Sequence, residues 1–182
     1  MATTFTPFAD LHTDCPDFSL PDLQGRVWSR QELPQGQPVV FMFICNHCPY
    51  VQAIEDRLIQ LGHDLKKQNV SVVAICSNDA QSHPEDSLEN LRKRAEEKKY
   101  SFTYLYDAEQ TAAQAFGAVC TPDFFVYDKN MKLAYRGRLD NSWKDASKVT
   151  QRELFDSVQT LLRGEKVSEQ QTASMGCSIK WL

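Results

Sequence analysis

Six consecutive apolar residues, Val39-Val40-Phe41-Met42-Phe43-Ile44, run directly into Cys45-Asn46-His47-Cys48. From about Pro49 to Lys67 the chain then places Val51, Ile54, Leu58, Leu61 and Leu65 at alternating steps of three and four. An apolar run without polar alternation is a strand covered on both faces, and the three-four spacing is an amphipathic helix. Val70 to Ile75 repeats the buried-strand pattern, which makes a strand-helix-strand unit with parallel strands and a right-handed crossover. A sheet covered on both sides needs apolar material to cover it. With 182 residues, 42% of them hydrophobic and ten of them Phe, the chain can build one sizeable core. The expectation is a single α/β domain over 1–182, its core at about 15–164 and a tail at 165–182.

The remaining segments attach to that unit. Residues 17–28 alternate apolar and polar around Pro21-Asp22-Leu23-Gln24-Gly25, a short hairpin. Pro84 to Tyr100 reads as a helix with acids early (Glu85, Asp86, Glu89) and mostly bases late, which suits the helix dipole; Glu96 and Glu97 dilute the basic run, so it is a solvated face without assigned function. A strand near Thr103–Tyr106, a helix near Glu109–Phe116 and strands near Phe124–Tyr127 and Lys132–Arg136 follow. The last two are joined by Asp128-Lys129-Asn130 as an antiparallel hairpin. A final helix over Thr150–Arg163, capped around Thr150, ends at Gly164. Beyond it the polar tail finishes in Met175-Gly176-Cys177-Ser178-Ile179-Lys180-Trp181-Leu182, too apolar to hang in water and expected to dock through Ile179 and Trp181.

The chemistry sits at Cys45 and Cys48. At a strand-to-helix junction the first sulfur is expected at the helix N-terminus, facing unpaired N–H groups. Such placement can bring a cysteine pKa from about 8.5 into the range of about 3.5–7.5 and so supply a thiolate nucleophile. Cys48, one turn later, would attack a mixed disulfide formed at Cys45 and release the client. His47, with Asn46 beside it, either tunes the Cys45 thiolate when charged or points to solvent. The rival reading of Cys45-X-X-Cys48, half a zinc site with His47 or Cys48 as ligand, lacks a second closely spaced pair: His12, His63, His83, Cys76 and Cys120 are scattered singly.

The order of elements and motifs resembles the thioredoxin superfamily, in its redoxin branch of peroxiredoxin-like and cytochrome-maturation-type thioredoxins. Cys15-Pro16-Asp17-Phe18-Ser19-Leu20-Pro21-Asp22-Leu23-Gln24-Gly25 looks like the branch's leading segment, Cys45–Cys48 like its active site, and Val119-Cys120-Thr121-Pro122-Asp123-Phe124-Phe125 like the loop holding its cis-proline. The resemblance implies a thioredoxin fold: a central mixed β-sheet flanked by helices, carrying here an N-terminal hairpin and a C-terminal tail. It also implies a cis Thr121-Pro122 bond, and a Thr121 backbone against Cys45 that could pair with an extended client. The alternative is a trans Thr121-Pro122 that merely opens a strand. The sequence departs from the pattern in places. Ile44 stands where many thioredoxins carry Trp, and Val39 where thioredoxin carries a buried acid. His47 before the second cysteine is similar to periplasmic disulfide-introducing oxidases. Met42 stands where peroxiredoxins carry Thr or Ser, and Thr121-Pro122 occupies the strand start that supplies their arginine.

Of the other cysteines, Cys15 and Cys76 read as small core residues. Cys120 and Cys177 are either packed thiols or extra redox thiols, depending on distances the sequence does not supply. A net charge of -4 without a Lys/Arg-dense segment argues against nucleic acid or an anionic membrane surface as partner. The N-terminal residues lack the basic lead and apolar run of a secretory signal, so a cytoplasmic protein is expected. No glycine-rich phosphate cradle is visible, so no organic cofactor is expected. The function expected first is dithiol-disulfide exchange with protein or small-molecule disulfides, reset by an unidentified thiol donor. Second comes a thiol peroxidase that uses Cys45 as the peroxidatic and Cys48 as the resolving residue. The third is a redox sensor or binding module without catalysis.

Overall fold

The computed structural model describes residues 3–182; Met1 and Ala2, with which the signal-peptide reading begins, lie outside the described residues. A five-stranded mixed sheet forms the centre, in the order β6 (Thr103–Tyr106), β5 (Ser71–Cys76), β4 (Val39–Phe43), β8 (Asp123–Tyr127) and β9 (Leu133–Gly137). β4, β5 and β6 run parallel, β8 runs antiparallel to β4, and β9 runs antiparallel to β8. This is the expected strand-helix-strand unit followed by the expected hairpin.

Alternate residues of β4 feed two cores, because successive side chains leave opposite faces of a strand. Val40 and Met42 meet Val51, Ile54 and Leu58 of α1 (Pro49–Lys66), Leu91 of α2 (Leu88–Lys98), and Leu154 and Val158 of α4 (Glu153–Leu162). Phe41 and Phe43 point the other way, onto Phe116 of α3 (Thr111–Phe116) and Phe125, with ring centroids 4.9 and 5.8 Å apart for Phe41–Phe116 and Phe43–Phe125. Burying each such ring stabilises the fold by about 1.5–3 kcal/mol. The hairpin of β2 (Ser19–Pro21) and β3 (Val27–Ser29) adds Leu20 to this second core.

Three boundaries differ from the expected ones. The segment read as one helix over 84–100 is divided: Pro84–Asp86 forms a single 3-10 turn, Ser87 is extended, and α2 begins at Leu88 with the Ser87 hydroxyl accepting from Asn90 N–H. The break lets the Asp86 side chain turn inward. α4 starts at Glu153 rather than near Thr150, because the Thr150 and Gln151 N–H groups are held by Asn141 Oδ1 at 3.0 and 3.2 Å. The tail does dock, but as a strand. β10 (Met175–Ser178) lies between β1 (Thr3–Phe5) and β7 (Cys120–Thr121), antiparallel to both, with Cys177 opposite Thr3 on one side and Thr121 on the other. Ile179 is buried in the second core, whereas Trp181 is 45% exposed, so the tail is anchored by Ile179 and not by Trp181. No helix among the described residues is long and apolar enough to cross a membrane.

Candidate active site

β4 stops at Phe43, and Ile44 N–H still reaches the Ile75 carbonyl at 3.0 Å, so the chain leaves the sheet with Cys45 already at its rim. Pro49, whose ring supplies the helical φ and lacks an N–H to satisfy, occupies the first position of α1. Cys48, not Cys45, is therefore the residue at the helix N-cap, a correction to the expected placement. Both cysteines are buried, at 2% and 0% exposure, and none of the six cysteines is in a disulfide.

The Thr121-Pro122 peptide is cis and lies against the pair. Thr121 Oγ1 is 3.3 Å from Cys45 Sγ, and Cys48 Sγ, when protonated, donates to the Thr121 carbonyl at 3.0 Å. The two side chains also hydrogen-bond to one another. Hydrogen bonding from the Cys45 thiol pulls Cys48 down to about 5 against its burial, and the thiol and backbone N–H of Cys177 assist. Burial holds Cys45 well above the usual thiol range, as do its hydrogen bond to Cys48 and the negative charge of Asp86. The two thiols are thus coupled, with a proton shared along the hydrogen bond between Cys45 and Cys48. The helix N-terminus favours the anion at its cap, while the Asp86 carboxylate opposes one on Cys45.

That carboxylate is what sequence reasoning missed. Asp86, fully buried, accepts at Oδ1 from Asn46 N–H (2.8 Å) and His47 N–H (3.2 Å), and at Oδ2 from His47 Nδ1–H (2.6 Å) and Asn78 Nδ2 (2.8 Å). It fixes the turn between the two cysteines from forty residues away in sequence, and its place among the early acids of an apparently solvated helix gave no sign of this. Asn46 is locked further, its amide donating to the Glu85 and Asn90 carbonyls, each at 3.0 Å. His47 does not point to solvent. Its Nδ1 edge is held by Asp86 and the ring packs on that of His83, whose centroid lies 4.5 Å away; Nδ1 is 3.8 Å from Cys45 Sγ, and Nε2 is buried without a partner among the described residues.

Cys45, His47 and Asp86 bring one ligand atom each within 4.8 Å of one another, a three-donor set that could hold a soft divalent ion. Because the four donors on Asp86 already use its oxygens, an ion would have to displace them. Of the two further thiols, Cys177 is brought to Cys48, whereas Cys120 Sγ points to the Pro122 carbonyl at 3.5 Å and is raised by burial. Cys76 is likewise buried at the end of β5 and raised by that burial, and Cys15 is pushed up to about 12 by its own. The Thr121 backbone, expected to receive a client, is occupied by β10. A pocket of about 170 Å³ opens beside Pro122, lined by Phe5, Tyr50 and Trp143 among others.

The model of the AhpC/TSA family matches residues 11–136. Among solved structures, an uncharacterized conserved protein from Geobacillus kaustophilus is 42% identical, with a TM-score of 0.94 over 100% of this chain and 97% of that one. A hypothetical protein from Sinorhizobium meliloti is 39% identical, with a TM-score of 0.94 over 98% of each chain. At 20% identity, a secreted Mycobacterium tuberculosis disulfide oxidoreductase homologous to E. coli DsbE overlays with a TM-score of 0.60, over 79% of this chain and 96% of that one, and shares the thioredoxin fold. A search of curated proteins finds no match.

Proposed function

Because the chain belongs to the AhpC/TSA family, we propose that it is a thiol-disulfide oxidoreductase in which Cys45 exchanges with client disulfides and Cys48 resolves. The observation that carries this reading is the hydrogen-bonded pair of sulfurs at the start of α1, both touching Thr121. Cys45 attacks a client sulfur while its proton passes along the existing hydrogen bond to Cys48; the client disulfide breaks and one client thiolate leaves. Cys48 then gives that proton to the released client thiolate and attacks Cys45 Sγ as a thiolate; the Cys45–Cys48 disulfide forms, and the second client sulfur departs as a thiolate that takes a proton from water. An external thiol donor restores the dithiol. Clients are protein or small-molecule disulfides. One that pairs with the Thr121 backbone has to lift β10 away first.

Insulin reduction with a thiol donor in excess tests this. Turnover is expected, with complete loss in Cys45→Ser and accumulation of mixed disulfides in Cys48→Ser; retained turnover in Cys45→Ser would sink the assignment. Peroxide reduction is the second reading, favoured by the Thr121 hydroxyl, which faces the Cys45 sulfur as a peroxide-orienting group would. Against it, no arginine among the described residues hydrogen-bonds to Cys45. Peroxide consumption without insulin reduction would reverse the order of the two.

A further inference from the structure

We infer that Cys177 is a third redox thiol of this site: it attacks the oxidised pair at Cys48, so that the disulfide passes from Cys45–Cys48 to Cys48–Cys177. The inference deepens the reading above and rests on it, since that reading supplies the Cys45–Cys48 disulfide.

Three observations carry it. The register of β10 sets Cys177 directly opposite Thr121, the residue whose carbonyl lies 3.0 Å from Cys48 Sγ and whose hydroxyl lies 3.3 Å from Cys45 Sγ. Cys177 addresses the Cys48 sulfur with both its thiol and its backbone N–H, and it is 1% exposed in the same core as Cys45 and Cys48. The strand that bears it is also held at both ends. Ser174 Oγ donates to the Pro122 carbonyl at 2.9 Å, while Lys180 N–H donates to Asn78 Oδ1 at 2.9 Å, on the same Asn78 whose amide nitrogen bonds Asp86. A merely packed cysteine has no need of this aim. Cys120, beside Thr121 on β7, turns its sulfur to a carbonyl instead.

The exchange balances within the chain. The Cys177 thiolate attacks Cys48 Sγ; the Sγ45–Sγ48 bond breaks, the Sγ48–Sγ177 bond forms, and the electron pair leaves on Cys45, which takes up the proton lost by Cys177. Neither oxidant nor reductant enters. In the dithiol state Cys177 is pushed up to about 12 by burial and by the Cys48 sulfur; once Cys48 is in a disulfide, the second of these is gone. Because β10 occupies the position an extended client would take on Thr121, Cys177 stands as an internal client. Its disulfide would lock β10 in place while returning Cys45 as a thiol.

Non-reducing peptide mapping after brief treatment with diamide, acid quench and alkylation tests this. Wild type is expected to yield Cys45–Cys48 and Cys48–Cys177 linked peptides, and Cys177→Ser only the first. Cys45→Ser retains five of the six cysteines and is expected to fall to three alkylatable thiols, the other two joined as Cys48–Cys177. Wild type that yields only Cys45–Cys48, or Cys45→Ser that keeps all five thiols, overturns the inference; should Cys45→Ser not fold, the wild-type map decides. Insulin reduction without a Cys48–Cys177 link removes the role of Cys177 and leaves the oxidoreductase reading. A Cys48–Cys177 link without insulin reduction does the opposite.

Discussion

Gly176 lies where β10 crosses the cis-proline loop, and replacing it by alanine tests how far the site depends on the tail strand. A Cβ at this position would stand 2.0 Å from the Thr121 carbonyl oxygen, 2.5 Å from its carbon and 2.9 Å from Pro122 N. All three are backbone atoms, so no side-chain rotation relieves the clash. Bringing the nearest contact from 2.0 to an ordinary 3.4 Å requires β10 to retreat by about 1.4 Å, enough to break its pairing with β7. Backbone hydrogen bonds there are worth about 0.5–1.5 kcal/mol each, and the burial of Ile179 that follows the strand about 1.5–3 kcal/mol. Losing the pairing and part of the burial costs about 2–5 kcal/mol. At about 2–4 °C per kcal/mol for a chain of this size, the melting temperature should fall by about 4–20 °C. Circular dichroism melts give that number, and iodoacetamide labelling followed by mass spectrometry should show faster modification of Cys45, Cys48 and Cys177. An alanine variant with an unchanged melting temperature and unchanged labelling would refute the claim that β10 is seated on Thr121 at this register.

Asp86→Asn keeps the shape but sets an amide where Oδ2 accepts from His47 and Asn78; with one buried donor left unmatched, a loss of about 1–3 kcal/mol is expected, or about 2–12 °C in the melt. The same substitution removes a negative charge that opposes the Cys45 thiolate, so the pH profile of Cys45 alkylation in a Cys177→Ser background should move to lower pH, and a shift to higher pH would contradict the electrostatics. Thiolate ultraviolet absorbance should reveal one group titrating near pH 5 that is lost in Cys48→Ser. Since that pKa is depressed from 9.0 in the folded state, its stabilising contribution is fully present above pH 9 and is lost as the pH falls through about 5. Cys45 and Cys177 are raised and contribute in the opposite sense, below pH 9, with loss as the pH climbs through their folded values. Chemical denaturation at a series of pH values checks both signs.

The sequence alone determined the frame. The unalternated run Val39–Ile44, the three-four spacing from Val51 to Leu65 and the second run at Val70–Ile75 are local patterns, because strand and helix periodicities are written in neighbouring residues. They place Cys45 and Cys48 at the junction where α1 begins, and Pro49 marks that start. Tertiary structure decided what surrounds the two sulfurs, since Asp86, Thr121 and Cys177 are each brought to the pair from 38 or more positions away by sheet pairing and by a turn inside what reads as one helix. It also decided the fate of the tail. Its apolar character was legible, but its register on β7, and with it the meeting of Cys177 and Cys48, is set by backbone pairing. Such pairing leaves no periodic trace in either strand, because a two-residue β7 is too short to show one.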